Sequence, residues 1–316
     1  MSDALRRRIA IALGDPAGIG PEVALKAALD PRVTAVCQPL LVGNPAALAL
    51  HAASCGLSTA KVEILPIAGA VPEIGQVRAA HGAEAIAAAR AAIEAALAGE
   101  VDAVVAAPHT ERAVKEAGIA FDGYPGLVAG CAGVSRDDVF LMLCFDSMRI
   151  AHLTLHMALK RAASLVTRER VLVALEKMAE ALHRLGIAKP RIAVAGLNPH
   201  AGEGGMFGDE EELAIGPAIA AAQTRGVAAD GPFGADTMLR RAGYDAFLVM
   251  YHDQGHIAAK LLAPERAAAV TIGTNVLFAS VGHGSALDIA GQNRASAEAM
   301  VEAVLLLAGV PRQGGA

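Results

Sequence analysis

The chain has 316 residues, 54% of them hydrophobic, and 27 Lys and Arg against 32 Asp and Glu give a net charge of −5. That length and apolar content suffice for a large core, in two domains or one large α/β domain. Interspersed charges without a basic block, no Trp and few aromatics argue against nucleic-acid binding, and no stretch approaches the roughly 18 apolar residues of a membrane span.

From the N-terminus, arginines precede an apolar run that stops at Gly14-Asp15, too short for a signal peptide, so a cytoplasmic protein is expected. Short apolar runs predict strands at Ile9–Leu13, Gln38–Val42, Ala103–Ala106, Val139–Leu143, Ile150–Leu155, Ile192–Ala195, Ala246–Met250 and Ala269–Ile272. Helical patterns lie between several of them, notably "GAEAIAAARAAIEAALAGE" and "RERVLVALEKMAEALHRLG", the second ending at a glycine stop. This alternation predicts an α/β fold with a largely parallel sheet. "IALGDPAGIGPEVALKA" reads as strand, glycine loop and helix, with loop N–H groups available to an anionic or polar ligand. Cys37, Cys55, Cys131 and Cys144 have no metal-ligand spacing and read as small core residues. His51, His81 and His183 sit in polar helical contexts and are expected at the surface. The tail "GVPRQGGA" is expected to fray.

Ligands of open α/β sheets bind beyond the carboxyl ends of strands. Three predicted strands lead there to a histidine: "RIAHLTLH" to His156, "RIAVAGLNPH" to His200 and "AFLVMYH" to His252. A lone strand-end histidine is more often a satisfied polar residue than a ligand. Three beside Asn, Asp or Gly favour one shared divalent ion, with Zn, Fe, Co, Mn and Mg all open. On a strand, His152, Thr154 and His156 share a face, which leaves His152 as support or core. Asp253 and Asp236 are candidates to orient a metal ligand or water, or else turn and cap residues. Lys260 is a candidate proton acceptor, or a solvated surface lysine.

"VGHGSALDIAG" is a second glycine-bearing loop. Gly284 and Gly291 allow close backbone approach, and Asp288 suits a ribose diol and disfavours a 2′-phosphate, which points to NAD. Ser285, Ala286 and Ile289 complete that loop. His283 opens it, as a contact to NAD or a turn cap.

In order along the chain, "GDPAGIGPE", "NPHAGEGG", "GPFGADT" and "HDQG" resemble the 4-hydroxythreonine-4-phosphate dehydrogenase (PdxA-like) family, from about residue 9 to residue 295. "HGSALDIAG" also looks like the adenosine-binding loop of isopropylmalate dehydrogenases. The resemblance implies a two-domain isocitrate/isopropylmalate dehydrogenase-like α/β fold. One domain would comprise residues 1–125 with 268–316, the other 126–267. It implies a homodimer whose active site lies in the interdomain cleft at the dimer interface. It further implies that His156, His200 and His252 bind one divalent metal in a shared site, with Asp236 and Asp253 near it and Lys260 touching substrate.

The departures bear on substrate. The pyridoxal-pathway enzymes carry a His-Thr pair where this chain has Tyr124-Pro125 in "FDGYPG", and a His-Lys pair where it has Thr110-Glu111 in "APHTER". Their substrate-binding Asn and Arg fall at Ala269 and Phe278. A phosphate dianion needs donors and positive charge, and most are gone. The altered segments look like the branch of terephthalate dihydrodiol dehydrogenases, whose substrate is a carboxylated cyclohexadiene cis-diol. The expected reaction is NAD- and metal-dependent oxidative decarboxylation of a β-hydroxy acid to a catechol such as protocatechuate. Lys260, or a water near Asp253, would take the proton. The expected substrate pocket holds Tyr124, Pro125, Phe278 and His256. His109 and Thr110 are expected at a substrate carboxylate, with a helix cap as the alternative for Thr110. The rivals are the vitamin B6 step itself, a related sugar-acid dehydrogenase and, from another class, a binding protein that has lost NAD.

Overall fold

The computed structural model describes residues 6–263 and 267–309, so the tail beyond Gly309 lies outside the described residues. Two compact units divide the chain, one formed by residues 6–133 with 274–309 and the other by the described residues between 134 and 273. In chain order the strands are β1 (Arg7–Ala12), β2 (Cys37–Gly43), β3 (Glu63–Pro66), β4 (Ala103–Ala106), β5 (Phe140–Phe145), β6 (Met148–His152), β7 (Arg191–Ala195), β8 (Ala228–Phe233), β9 (Ala246–Val249), β10 (Ala268–Ile272) and β11 (Phe278–Val281). Each predicted run forms a strand, and the α/β architecture is mostly parallel. Three strands escaped prediction because their patterns are weak: β3 is short and half-exposed, β8 carries Asp, Gly and Pro, and β11 has four residues.

In the first unit the strands run in the order β3-β2-β1-β4-β11, all parallel. β1 lies mid-sheet, and Ile9, Ala10 and Ile11 are wholly buried, hence a continuous apolar run rather than alternation. One face packs on the alanine-rich helix Ala79–Leu97, whose Ala88, Ala89, Ala92 and Ile93 join Ala10, Val104 and Phe278 in one core. Small side chains bring helix and sheet close. Asn44 caps helix Pro45–Cys55, its Oδ1 accepting from Ala46 N at 2.9 Å, and Gly56 closes it at φ 65. His51 and His81, expected outside, are buried; His51 Nε2 donates to Pro16 O at 3.0 Å and His81 Nδ1 to Gln76 O. Each has a backbone carbonyl to replace water, which the helical context could not reveal. His183 is exposed as expected. The four cysteines are free, Cys131 half-buried and the others buried.

In the second unit the order is β10-β5-β6-β9-β7-β8. Only two residues join β5 to β6, which forces an antiparallel hairpin, and β10 is antiparallel to β5. β6, β9, β7 and β8 are parallel. Helix Arg168–Arg184 is capped by Thr167, whose hydroxyl accepts from Arg170 N, and Gly186 follows it at φ 92. No helix among the described residues is long and apolar enough to cross a membrane.

Candidate active site

Because β6, β9 and β7 are adjacent and parallel, their carboxyl ends open on one edge of the second unit. Gln254 stitches that edge: its Oε1 accepts from Met250 N at 2.6 Å and its Nε2 donates to Gly196 O at 2.8 Å. The expected strand through Leu155 stops at His152, because β9 ends at Val249 and offers no ladder beyond Leu153 N to Val249 O. His156 therefore sits on an irregular, exposed segment rather than on the face of His152.

His252 is the first residue of helix His252–Leu262, not a strand terminus. The helix sets His252, His256 and Lys260 four residues apart along one face. His252 Nδ1 lies 2.6 Å from Asp253 Oδ1; a carboxylate only accepts, so Nδ1 carries the hydrogen and Nε2 keeps its lone pair. The His156 and His252 rings are 5.2 Å apart. Both, with Asp253, Tyr251, Leu155 and Leu159, line a cavity of about 270 Å³.

His200 stands in a left-handed stretch, at φ 55 with Ala201 at φ 54 and Gly202 at φ 81. The buried carboxylate of Glu211 holds that turn, accepting from Leu197 N at 2.7 Å, Asn198 N at 2.8 Å and Asn198 Nδ2 at 3.0 Å. Glu211 was not anticipated; four acids in a row, Asp209 to Glu212, hid which one turns inward. Asp236 is exposed near His200, since a Cβ on Gly234 would stand 2.9 Å from Asp236 Oδ1 and 3.7 Å from His200 Cα. Lys260 is exposed.

Behind His252, His256 stacks on it at 3.7 Å and 10°, and His256 Nδ1 lies 3.0 Å from Nε2 of the wholly buried His152. Burial, then the charge of His256, pushes His152 down to about 3; burial, then His252, pushes His256 down to about 4. Among the described residues no three His, Cys, Asp or Glu side chains gather closely enough to hold a metal ion. One chain offers His156 and His252, one with an oriented lone pair, a donor pair that fits a divalent transition metal. His200 is not joined to them.

In the first unit the glycine loop is closed rather than receptive. Asp15 N donates to Pro108 O, Ala17 N to Asp15 Oδ1, Gly18 N to Asp15 O and Ile19 N to Ser285 O, so these N–H groups are spent internally. Asp15, 1% exposed, accepts from the Thr110 hydroxyl, which also lies 2.6 Å from Ser285 Oγ. Thr110 occupies the cap position of helix Glu111–Glu116 but makes no cap bond. Ser285 is turned inward by the same contacts.

Elsewhere on that loop, Gly284 has open space where a side chain would stand, Ala286 is left-handed at φ 38, and Asp288 is exposed. Ile289 N donates to Ala286 O, and Gly291, at φ 72, would press a Cβ on Ile74 at 2.9 Å. His283 Nδ1 reaches Gly284 O at 3.2 Å, while its buried Nε2 has no partner. An orphaned acceptor beside an open glycine fits a bound nucleotide cofactor.

Tyr124 and Phe278, expected in the substrate pocket, are core residues. Phe278 is 0% exposed, and the Tyr124 ring stands 5.0 Å from it, with its hydroxyl 3.3 Å from Ala107 O. Burial pushes the Tyr124 phenol up. Pro125 opens helix Tyr124–Ala132, where a missing N–H costs nothing. His109 packs edge-on to Phe121 and Tyr124 at 4.9 and 5.0 Å, its Nε2 buried and unpartnered.

The family described as pyridoxal phosphate biosynthetic protein PdxA has a model that matches residues 27–307. The chain belongs to the PdxA family. It is 41% identical over 311 residues to a 1,2-dihydroxy-3,5-cyclohexadiene-1,4-dicarboxylate dehydrogenase of a Comamonas species, covering 97% of this chain and 99% of the relative. It is also 41% identical to a Symbiobacterium thermophilum protein named, provisionally, D-threonate 4-phosphate dehydrogenase, with 95% of each covered. The solved 4-hydroxythreonine-4-phosphate dehydrogenase of Klebsiella pneumoniae superposes with a TM-score of 0.86 at 32% identity, covering 99% of this chain and all of that one. These PdxA-family relatives are dehydrogenases of three different substrates, so membership leaves the substrate to this chain's own residues.

Proposed function

We propose that this PdxA-family chain is an NAD- and divalent-metal-dependent dehydrogenase that oxidises and decarboxylates a carboxylated cyclohexadiene cis-diol of the terephthalate dihydrodiol type to a catechol such as protocatechuate. One observation carries the choice of substrate. At the positions matching the phosphate-holding pairs, Thr110 is committed to Asp15 and Ser285, and Tyr124 and Pro125 are built into the core and a helix start. Neither pair, Thr110-Glu111 nor Tyr124-Pro125, contains a cation, and a phosphate dianion needs donors and positive charge.

A bound NAD would supply the hydride acceptor, and a bound divalent cation would supply Lewis acidity at the hydroxyl. His156, His252 and, from a second copy of the chain, His200 would hold the cation, since one chain does not gather all three. Asp253 fixes the His252 tautomer, and Asp236 supports His200. Lys260 takes the hydroxyl proton, with a water at Asp253 as its alternative. The loop from His283 to Gly291 would hold NAD through the free His283 Nε2, the open Gly284 backbone and the exposed Asp288. The interdomain cleft and the dimer belong to this reading, because they would let a cofactor held by one unit meet a substrate held by the other. Oxidation leaves a β-keto acid; loss of carbon dioxide and tautomerisation then give an aromatic ring.

The test is NADH formation by metal-loaded enzyme offered the cis-diol, 4-hydroxythreonine 4-phosphate and D-threonate 4-phosphate separately. Turnover of the diol alone is expected. Turnover of either phosphate ester in its place would overturn the substrate choice and favour the second reading, which the equal identity to the threonate-phosphate relative supports.

A further inference from the structure

In the first unit, helix Gly20–Leu29 ties down the loop from His283 to Gly291 at both ends. Just before the helix, Ile19 N donates to Ser285 O at 2.8 Å, near the start of the loop. In its first turn, Glu22 is wholly buried, and its Oε1 accepts from Ala295 N at 3.1 Å, just past the end of the loop. One turn further on, Lys26 Nζ donates to Glu22 Oε1 at 2.7 Å and to Ala295 O at 2.8 Å. Residues three and four apart share a face, so Ile19, Glu22 and Lys26 act from one side of the helix.

Charge alone does not account for this pair. Apolar side chains of similar size often match or better a buried ion pair in stability. Here both partners grip one backbone unit, Glu22 at its N–H and Lys26 at its carbonyl. Ala295 is itself buried, and its methyl group has little to fix it in place. What the two side chains set is the path of the chain. That path is costly to hold, because Ala286 at φ 38 and Asn293 at φ 57 are left-handed without being glycine. The turns within it are local, Ile289 N to Ala286 O, Gln292 N to Ile289 O and Gln292 Nε2 to Asp288 O. Ser285 and Ala295 join those turns to the helix.

We propose that Glu22 and Lys26 clamp the cofactor loop in its binding conformation before the cofactor arrives, which makes them positioning residues for NAD. This rests on the reading of the His283–Gly291 loop as the NAD site and is independent of the choice of substrate. A segment already held in place loses less freedom when its ligand binds.

The experiment titrates NADH by fluorescence and follows backbone hydrogen exchange in wild type, in Glu22→Met with Lys26→Met, and in Glu22→Gln. The double variant removes the clamp without leaving one charge buried alone. Its Kd for NADH should rise about ten-fold, the cost of re-ordering roughly one backbone residue on binding. Exchange should quicken between residues 285 and 297 and not across the rest of the first unit, and saturating NADH should restore protection there. Glu22→Gln keeps an acceptor for Ala295 N and Lys26, and should bind NADH nearly as wild type does. Should the double variant not fold, Lys26→Met decides, since it releases only Ala295 O and should still weaken NADH binding. An unchanged Kd in the variant that folds overturns the clamp, as does faster exchange throughout the first unit. Failure of wild type to bind NADH overturns the cofactor reading of the loop and the clamp with it.

Discussion

At the residue scale, the buried polar groups are where chemistry and stability meet. Thr110 supplies the hydroxyl that satisfies Asp15, a carboxylate 1% exposed. Thr110→Val removes that donor and the link to Ser285, and leaving a buried acceptor unmet costs about 1–3 kcal/mol. Urea unfolding should show that loss, and Thr110→Ser should recover most of it. Burial, opposed by the bond to Pro16 O at His51 and by nearby acids at both, holds His51 and His109 below the ordinary histidine value of about 6.5. The unfolded chain takes up protons at a pH where the folded chain refuses them. Stability is therefore full above about pH 6.5 and falls as pH drops below it, by up to about 1.4 kcal/mol per pH unit for each group. Denaturant midpoints from about pH 8 to about pH 5 should follow this slope, and His51→Gln should flatten it.

At the scale of elements, the alanine and glycine content has a purpose that composition only hinted at. Helix Ala79–Leu97 lies so close to helix Glu111–Glu116 that a Cβ on Gly82 would fall 2.2 Å from Ala113 C and 2.4 Å from Val114 N. In an open helix Gly→Ala gains about 0.5–1 kcal/mol. Here the neighbour is backbone and cannot rotate away, so overpacking of about 1–3 kcal/mol should win. Gly82→Ala is expected to lower the thermal midpoint; a rise would show that the two helices can part without cost. The segment "YHDQGHIAAK" reads as the end of a strand, yet it is a helix start, and that changes its meaning. On a helix His252, His256 and Lys260 share a face, and Asp253 turns back onto His252.

At the scale of the whole molecule, Ile257, Leu261 and Leu262 are exposed large apolar side chains on the helix that carries His252, His256 and Lys260. A second copy of the chain is the occupant the proposed shared site requires. Light scattering should report a two-chain mass, and Leu261→Lys with Leu262→Lys should lower it and abolish turnover together. A single-chain mass with full activity would remove the shared-site reading. Chelation should stop turnover yet leave NADH binding intact, because the loop from His283 to Gly291 contains none of His156, His200 or His252.

The sequence by itself determined the α/β alternation apart from β3, β8 and β11, the family and the positions of the histidines, because periodicity and contiguous motifs are local properties of a chain. His156 and His252 were legible as neighbours only because their strands were predicted to end on a common edge. Tertiary structure alone decided which polar groups are spent. Asp15, Thr110 and Ser285 lie far apart in sequence and meet only when β1, β4 and the loop after β11 are assembled. It alone moved Tyr124 and Phe278 from a pocket into a core, since burial depends on what packs above a residue and not on its own type. The link of His152 to His256 spans 104 residues, and a hydrogen bond at that separation has no signature in the chain before it folds.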